Sequence, residues 1–180
     1  MNIEKQKIRN PISYSVWFVP GGNEYDILHS LIINIAKKYT HIEFMPHVTL
    51  LGGFLGEEND LKNKTKNLAK KITPLIVKFN KIAFLNEFFR CLFFRIKKNH
   101  SFNRARSLAV DTFLYEDHDF LPHLSLAYGL VDEKIKAEIK LFVHNNLKNV
   151  NNFCADTLYL AKNDEIRFKW EILGEYKLNY

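Results

Sequence analysis

Pro46-His47-Val48-Thr49-Leu50 and Pro122-His123-Leu124-Ser125-Leu126 are two copies of one phrase: proline, histidine, apolar, hydroxyl, apolar. Glycine follows each within a few residues, at Gly52 and Gly129. Side chains of an extended chain alternate between faces. The histidine and the hydroxyl two residues on therefore point one way, while Val48 or Leu124 points into a core. Two such strands set together would place two imidazoles and two hydroxyls around one small space, which is the equipment for in-line attack on a phosphate. A lone histidine on a strand is commonly a hydrogen-bonded structural residue. Recurrence of the whole frame, proline included, makes His47, Thr49, His123 and Ser125 candidate catalytic residues.

Working outward, Tyr14 to Pro20 is aromatic and β-branched and stops at Gly21-Gly22, which predicts a strand. From Glu24 to Tyr39 the apolar residues Ile27, Leu28, Leu31, Ile32, Ile35 and Ala36 recur at helical spacing. The first motif strand follows. A helix is predicted over Leu61–Ile72, closed by Pro74. Leu75–Leu85 reads as extended and Phe88–Ile96 as a strand. Asn99–Phe113 reads as a helix, and Tyr115–Leu121 as a loop carrying Glu116, Asp117 and Asp119. After the second motif strand, a helix runs from its N-cap Asp132 to about Leu147. Two terminal strands, Phe153–Leu160 and Arg167–Leu178, flank a polar turn at Lys162-Asn163-Asp164-Glu165. The two halves of this order echo each other, and each carries one histidine strand, which suggests internal duplication. Helices outside mostly antiparallel sheets give an α+β protein with a central cleft.

The chain has 180 residues, enough for one domain with a substantial core or two small lobes sharing one. With 47% hydrophobic residues, 15 Phe and 8 Tyr it is globular rather than disordered. No apolar run approaches the ~18 residues that span a bilayer, and Met1–Asn10 lacks the apolar core of a signal peptide. A soluble cytoplasmic protein with no membrane partner is expected. Cys91 and Cys154 are expected to be buried free thiols. There is no Cys-x-x-Cys, His-Glu-x-x-His or Walker-type Gly-Lys-Ser/Thr, and no third ligand stands at motif-like spacing from the histidines, so neither cofactor nor metal is expected. The net charge of +6 is spread over lysines, most densely Lys62, Lys64, Lys66, Lys70 and Lys71. A solvated helix face accounts for that group, and charge alone does not establish RNA binding.

The chemistry open to the paired motifs is phosphodiester cleavage. Thr49 and Ser125 can donate to non-bridging oxygens, one neutral imidazole can take a proton from water, and the other, protonated, can give one to the departing alkoxide. Phosphoryl transfer needs mainly positioning and charge stabilisation.

These residues resemble the 2H phosphoesterase superfamily, whose mark is two His-x-Ser/Thr motifs. The similarity is closer to its plant-type cyclic phosphodiesterases. It is carried by Tyr14-Ser15-Val16-Trp17 through Pro20, Pro46-His47-Val48-Thr49, Phe89 to Phe94 with Cys91, and Pro122 to Leu126 with Tyr128. The resemblance implies a bilobal fold in which two pseudo-symmetric antiparallel sheets, with outer helices, enclose a water-filled cleft. Residues 1–180 then form one domain of two intertwined lobes. It implies hydrolysis of ADP-ribose 1″,2″-cyclic phosphate to the 1″-phosphate, downstream of tRNA splicing, and of nucleoside 2′,3′-cyclic phosphates to 2′-phosphates. His47, Thr49, His123 and Ser125 carry over as catalytic, with His123 assigned as base and His47 as acid, an order that the near-symmetry of the motifs leaves open. Tyr128 and Trp17 carry over as substrate-binding residues of the cleft. An ordinary core position is the equal alternative for Trp17. Tyr128, three residues past Ser125, falls on the wrong face of an ideal strand and needs a strand end that turns at Gly129. Plant members carry cysteines in the loop before the second motif; Asn99–Leu121 has none. The partner expected is a small cyclic phosphate, met by a monomer. The alternatives are a 2H activity on 2′-5′ oligonucleotides or RNA 3′ ends, which needs a basic track with stacking aromatics, and a non-catalytic module that holds a phosphorylated ligand.

Overall fold

Ser13, Ser15 and Trp17 alternate with Tyr14, Val16 and Phe18 in the first strand. The second set enters the main core, whereas Trp17 joins a small separate cluster with Val19 and Ala161. This split sets the two faces of the protein: one packs under helices, the other lines a cleft. The structure, a computed structural model, describes residues 12–117, 119–147, 150–164 and 166–179. The expectation for Met1–Asn10 lies outside them, as does Glu165 of the terminal turn.

In chain order the described elements are β1 (Ile12–Phe18), α1 (Gly22–Ile35) running into a π-helical turn at Ala36–Thr40, β2 (Val48–Phe54), α2 (Glu58–Ala69) and β3 (Leu75–Ala83). A 3-10 turn at Phe88–Arg90 precedes β4 (Leu92–Ile96), α3 (His100–Phe113), β5 (His123–Ala127) and α4 (Glu133–Asn146). The chain ends in β6 (Asn152–Ala155), β7 (Thr157–Asp164) and β8 (Lys169–Lys177). Asp132 caps α4 as expected, its carboxylate accepting from the Ile135 amide at 2.8 Å. Glu57 does the same for α2 through Asp60 N at 2.9 Å, which starts that helix at Glu58 rather than Leu61.

The strands pair in the order β6-β3-β4-β5-β2-β1-β7-β8, every pairing antiparallel. The α+β architecture is as expected. Its two halves, β6-β3-β4-β5 and β2-β1-β7-β8, meet at the register pair Val48↔Leu124, so the two expected sheets run on as one. The halves of the sheet are not the halves of the sequence. β3 and β4 side with the second motif, while β7 and β8 return to the first. The expected strand Phe153–Leu160 is accordingly two strands. It breaks at Asp156, so that Ala155 pairs with Leu75 in one half and Leu158 with Phe18 in the other.

Two further expectations are corrected. Phe88–Arg90 is a 3-10 turn rather than the start of a strand, closed by Arg90 N donating to Glu87 O at 3.1 Å. Both cysteines are free, but only Cys91 is buried; Cys154 pairs with Ile76, and both are exposed. Among the described residues no helix is long and apolar enough to cross a membrane.

Candidate active site

The pairing of Val48 with Leu124 decides the site. In an antiparallel pair the residue before one partner opposes the residue after the other. His47 therefore opposes Ser125, and Thr49 opposes His123, as if turned about a local dyad through the central pair. Val48 and Leu124 are fully buried on the far face. The four motif side chains share the near face, where directly opposed Cβ atoms lie about 5 Å apart and diagonal ones about 7–8 Å. Both histidines and both hydroxyls line one cavity of about 170 Å³.

Each imidazole is fixed the same way. His47 Nδ1 lies 2.8 Å from Met45 O, and His123 Nδ1 lies 2.7 Å from Leu121 O. A carbonyl can only accept, so Nδ1 carries the proton and Nε2 is the ring nitrogen left with a lone pair. Proline between the histidine and that carbonyl explains the first position of the motif. It holds its own φ and keeps the preceding residue extended, which presents Met45 O or Leu121 O to the ring.

The electrostatics of the two rings differ. Burial pulls His47 down to about 4, with a smaller push from His123. Burial also lowers His123, the backbone bond to Leu121 opposes it, and Arg90 and Glu87 act on it in opposite senses. His47 is 8% exposed, whereas His123 is half-buried. Burial thus favours the neutral form of both rings.

Aromatic rings back both histidines in matching positions. Trp17 pairs in register with Thr49 and stacks on His47, ring centroids 3.8 Å apart. Phe93 pairs with Ser125 and meets the His123 ring edge-on at 5.2 Å. Trp17 is 2% exposed, as a core residue would be, and it also lines the cavity. Tyr128 also lines the cavity. β5 stops at Ala127 and Gly129 takes φ +136°, so the chain turns and admits Tyr128 to a face that the strand would deny it. Its hydroxyl lies in hydrogen-bonding reach of Ser125, and its ring stacks on Phe44 at 3.9 Å. Ser125 Oγ donates to Phe89 O at 3.0 Å and keeps its lone pairs for other partners.

All six expected residues therefore meet in one place. Sequence reading missed the opposite wall. Asn163 Nδ2 donates to Ser15 Oγ at 3.0 Å and to Ser13 Oγ at 3.4 Å, and all three line the cavity. The alternation Ser13-x-Ser15-x-Trp17 could have signalled the two serines. Asn163 and Trp170 had no local signal, because only the pairings Ser13↔Asn163 and Asn163↔Trp170 bring them in. Gly52 leaves room beside these groups: a Cβ there would stand 3.1 Å from Thr49 Cγ2.

Residues 34–167 match the 2′-5′ RNA ligase superfamily. A Staphylococcus saprophyticus protein named "Putative phosphoesterase" is 27% identical over 152 residues, which is 79% of this chain and 87% of its own. A crystal structure of a phosphoesterase superposes with TM-score 0.63 at 12% identity, covering 94% of this chain and 99% of that one. Escherichia coli LigT, crystallised with 3′-AMP, gives 0.60 at 10% identity with the same coverage. The structural likenesses, at such identities, speak to the fold.

Proposed function

Since the chain belongs to the 2′-5′ RNA ligase superfamily, the 2H phosphoesterases, we propose that it is a hydrolase that opens cyclic phosphodiesters with its two histidines as acid and base. The substrates proposed are nucleoside 2′,3′-cyclic phosphates, opened to 2′-phosphates, and ADP-ribose 1″,2″-cyclic phosphate, opened to the 1″-phosphate. The observation that carries this reading is the Val48↔Leu124 register, which turns two distant motifs into one four-group cluster.

In the proposed reaction the phosphorus lies between the two Nε2 atoms. One imidazole takes a proton from water as its oxygen attacks phosphorus; the opposite P–O bond breaks, and the second imidazole, protonated, delivers its proton to the leaving oxygen. Thr49 donates to a non-bridging oxygen as charge gathers there, and Ser125 does the same by turning its single O–H from Phe89 O to the phosphate. The Ser13, Ser15 and Asn163 wall offers hydroxyl and amide groups to the sugar or base. No carboxylate lines this cavity among the described residues, and these proton transfers use only groups of the chain itself.

The asymmetry of burial favours an order opposite to the one assigned from the motifs. His47, deeper and held down to about 4, is the ring that stays neutral and serves as base. The negative charge of a bound phosphodiester favours uptake of a proton from solvent by the half-buried His123, at lower desolvation cost than at His47, which suits His123 to be the acid.

The experiment is product analysis. The protein is incubated with 2′,3′-cyclic AMP and with ADP-ribose 1″,2″-cyclic phosphate, with and without chelator, and the monoester is identified. The 2′-phosphate and the 1″-phosphate, formed at equal rate with chelator, are expected. A cyclic nucleotide bound tightly but left intact for hours would reduce the protein to a phosphorylated-ligand-binding module.

A further inference from the structure

The face of the sheet that carries His123 does not end at the cavity. Arg95 pairs in register with His123 and lies on the same face. β3 bulges between Phe79 and Ile82, where the register slips by one, so Asn80 and Lys81 together oppose Arg95. Beyond them Lys97 N donates to Lys78 O at 2.8 Å, which continues the ladder and puts Lys78 and Lys97 side by side. Phe79, Phe94 and Ile96 point the other way, into the core. Lys78, Lys81 and Lys97 are exposed.

The charge built into these strands has one sign, and Glu87, which acts on His123 from the turn before β4, is paired with Arg90. The strands β3, β4, β5 and β6 hold no aspartate or glutamate. None of Lys78, Lys81, Arg95 and Lys97 has an ion-pair partner among the described residues. Arg95 itself is half-buried. At the cavity end stands Phe89, 37% exposed, a ring on which a base can stack. Two cross-strand pairs of cations, Lys81 with Arg95 beside His123 and Lys78 with Lys97 one step further along the strands, match the spaced negative charges of a nucleic-acid backbone. Of the large apolar side chains on these strands only Ile76 is exposed, against four cations, which suits a nucleic-acid backbone better than a bilayer.

We propose that the β3–β4 face carrying Lys78, Lys81, Arg95 and Lys97 is a docking track for the backbone of single-stranded RNA, whose reacting end lies between His47 and His123. This rests on the reading of the histidine cluster as a phosphodiester site. The lysines of α2 sit on a separate outer helix and take no part.

The test measures binding apart from turnover. A fluorescent single-stranded RNA decamer with a 3′-phosphate end is titrated with the full chain and with Lys78→Ala/Lys97→Ala, across salt from about 50 to about 200 mM. Loss of two phosphate contacts on a single strand should flatten the log–log salt slope by about 1.4 and weaken binding roughly tenfold at low salt. The variant should keep wild-type turnover of 2′,3′-cyclic AMP, because neither lysine touches the cavity. Absent RNA binding, or binding and slope unchanged in the variant, would overturn the track. Displacement of the RNA by phosphatidylserine vesicles at equal anionic charge would overturn it in favour of a membrane surface. If RNA binds as expected but no cyclic phosphate is opened, the track stands and the proposed hydrolase activity falls.

Discussion

Trp17 lies flat against His47, their planes 14° from parallel and their centroids 3.8 Å apart. The indole excludes water from one whole face of the imidazole, and burial is the largest cause of its lowered pKa. Trp17→Leu keeps an apolar side chain and removes the ring. The His47 midpoint, followed by NMR, should rise from about 4 towards the usual 6.5. A midpoint that stays put would mean that Trp17 does not set it.

His47→Ala and His123→Ala should each lower kcat by about 10²–10⁴-fold, with thermal unfolding still cooperative. A substrate with a p-nitrophenolate leaving group needs no protonation as it departs. His123→Ala should regain much of its lost rate on that substrate and His47→Ala should not. The reverse pattern would restore His47 as the acid.

The hydroxyls should matter less than the imidazoles. Thr49→Ala and Ser125→Ala should each cost roughly 2–4 kcal/mol of transition-state stabilisation, read in kcat more than in KM. Ser125→Ala also leaves Phe89 O without its 3.0 Å donor, so its unfolding temperature should fall slightly while that of Thr49→Ala holds. Equal rates in wild type and both variants would remove the hydroxyls from the reaction.

Acid should both unfold the protein and charge the site. The unfolded chain takes up the His47 proton near 6.5 and the native one near 4, so the unfolded state binds more protons between those values. Stability is complete above about 6.5 and is lost as pH falls through about 4, by roughly 3 kcal/mol. His47→Gln should flatten that part of the curve in denaturant titrations. An anion in the cavity favours imidazolium, so phosphate binding near pH 6 should take up protons, which calorimetry in buffers of different ionisation enthalpy would detect. The rate should then be bell-shaped in pH, and a flat profile from about pH 5 to about 9 would contradict an acid–base pair.

Arg106 holds β2 in place from outside the cavity. Its guanidinium donates to Leu50 O at 2.7 Å, pairs with Asp117 and lies 4.0 Å above the Phe120 ring. Arg106→Ala strands a part-buried carboxylate and a strand carbonyl, and should cost about 3 kcal/mol in denaturant unfolding. Asp117 and Phe120, from a stretch that looked like a surface run of acids, both meet this one cation.

The sequence alone determined what depends on neighbours along the chain. Alternation put His47 with Thr49 and His123 with Ser125 on common faces, and helical spacing and the Asp132 cap marked the helices. Even the tyrosine at 128 was legible once Gly129 was taken as a turn. Tertiary structure decided what depends on pairing between distant strands. It chose Val48↔Leu124 and so faced the motifs together; it divided Phe153–Leu160 between two halves of the sheet, brought Asn163 and Trp170 to the cavity, turned Cys154 outward and aligned Arg95 with His123. The physical reason is that side-chain alternation is local to a strand. Register between strands is set by the joint burial of many residues, and no short stretch of the chain encodes it.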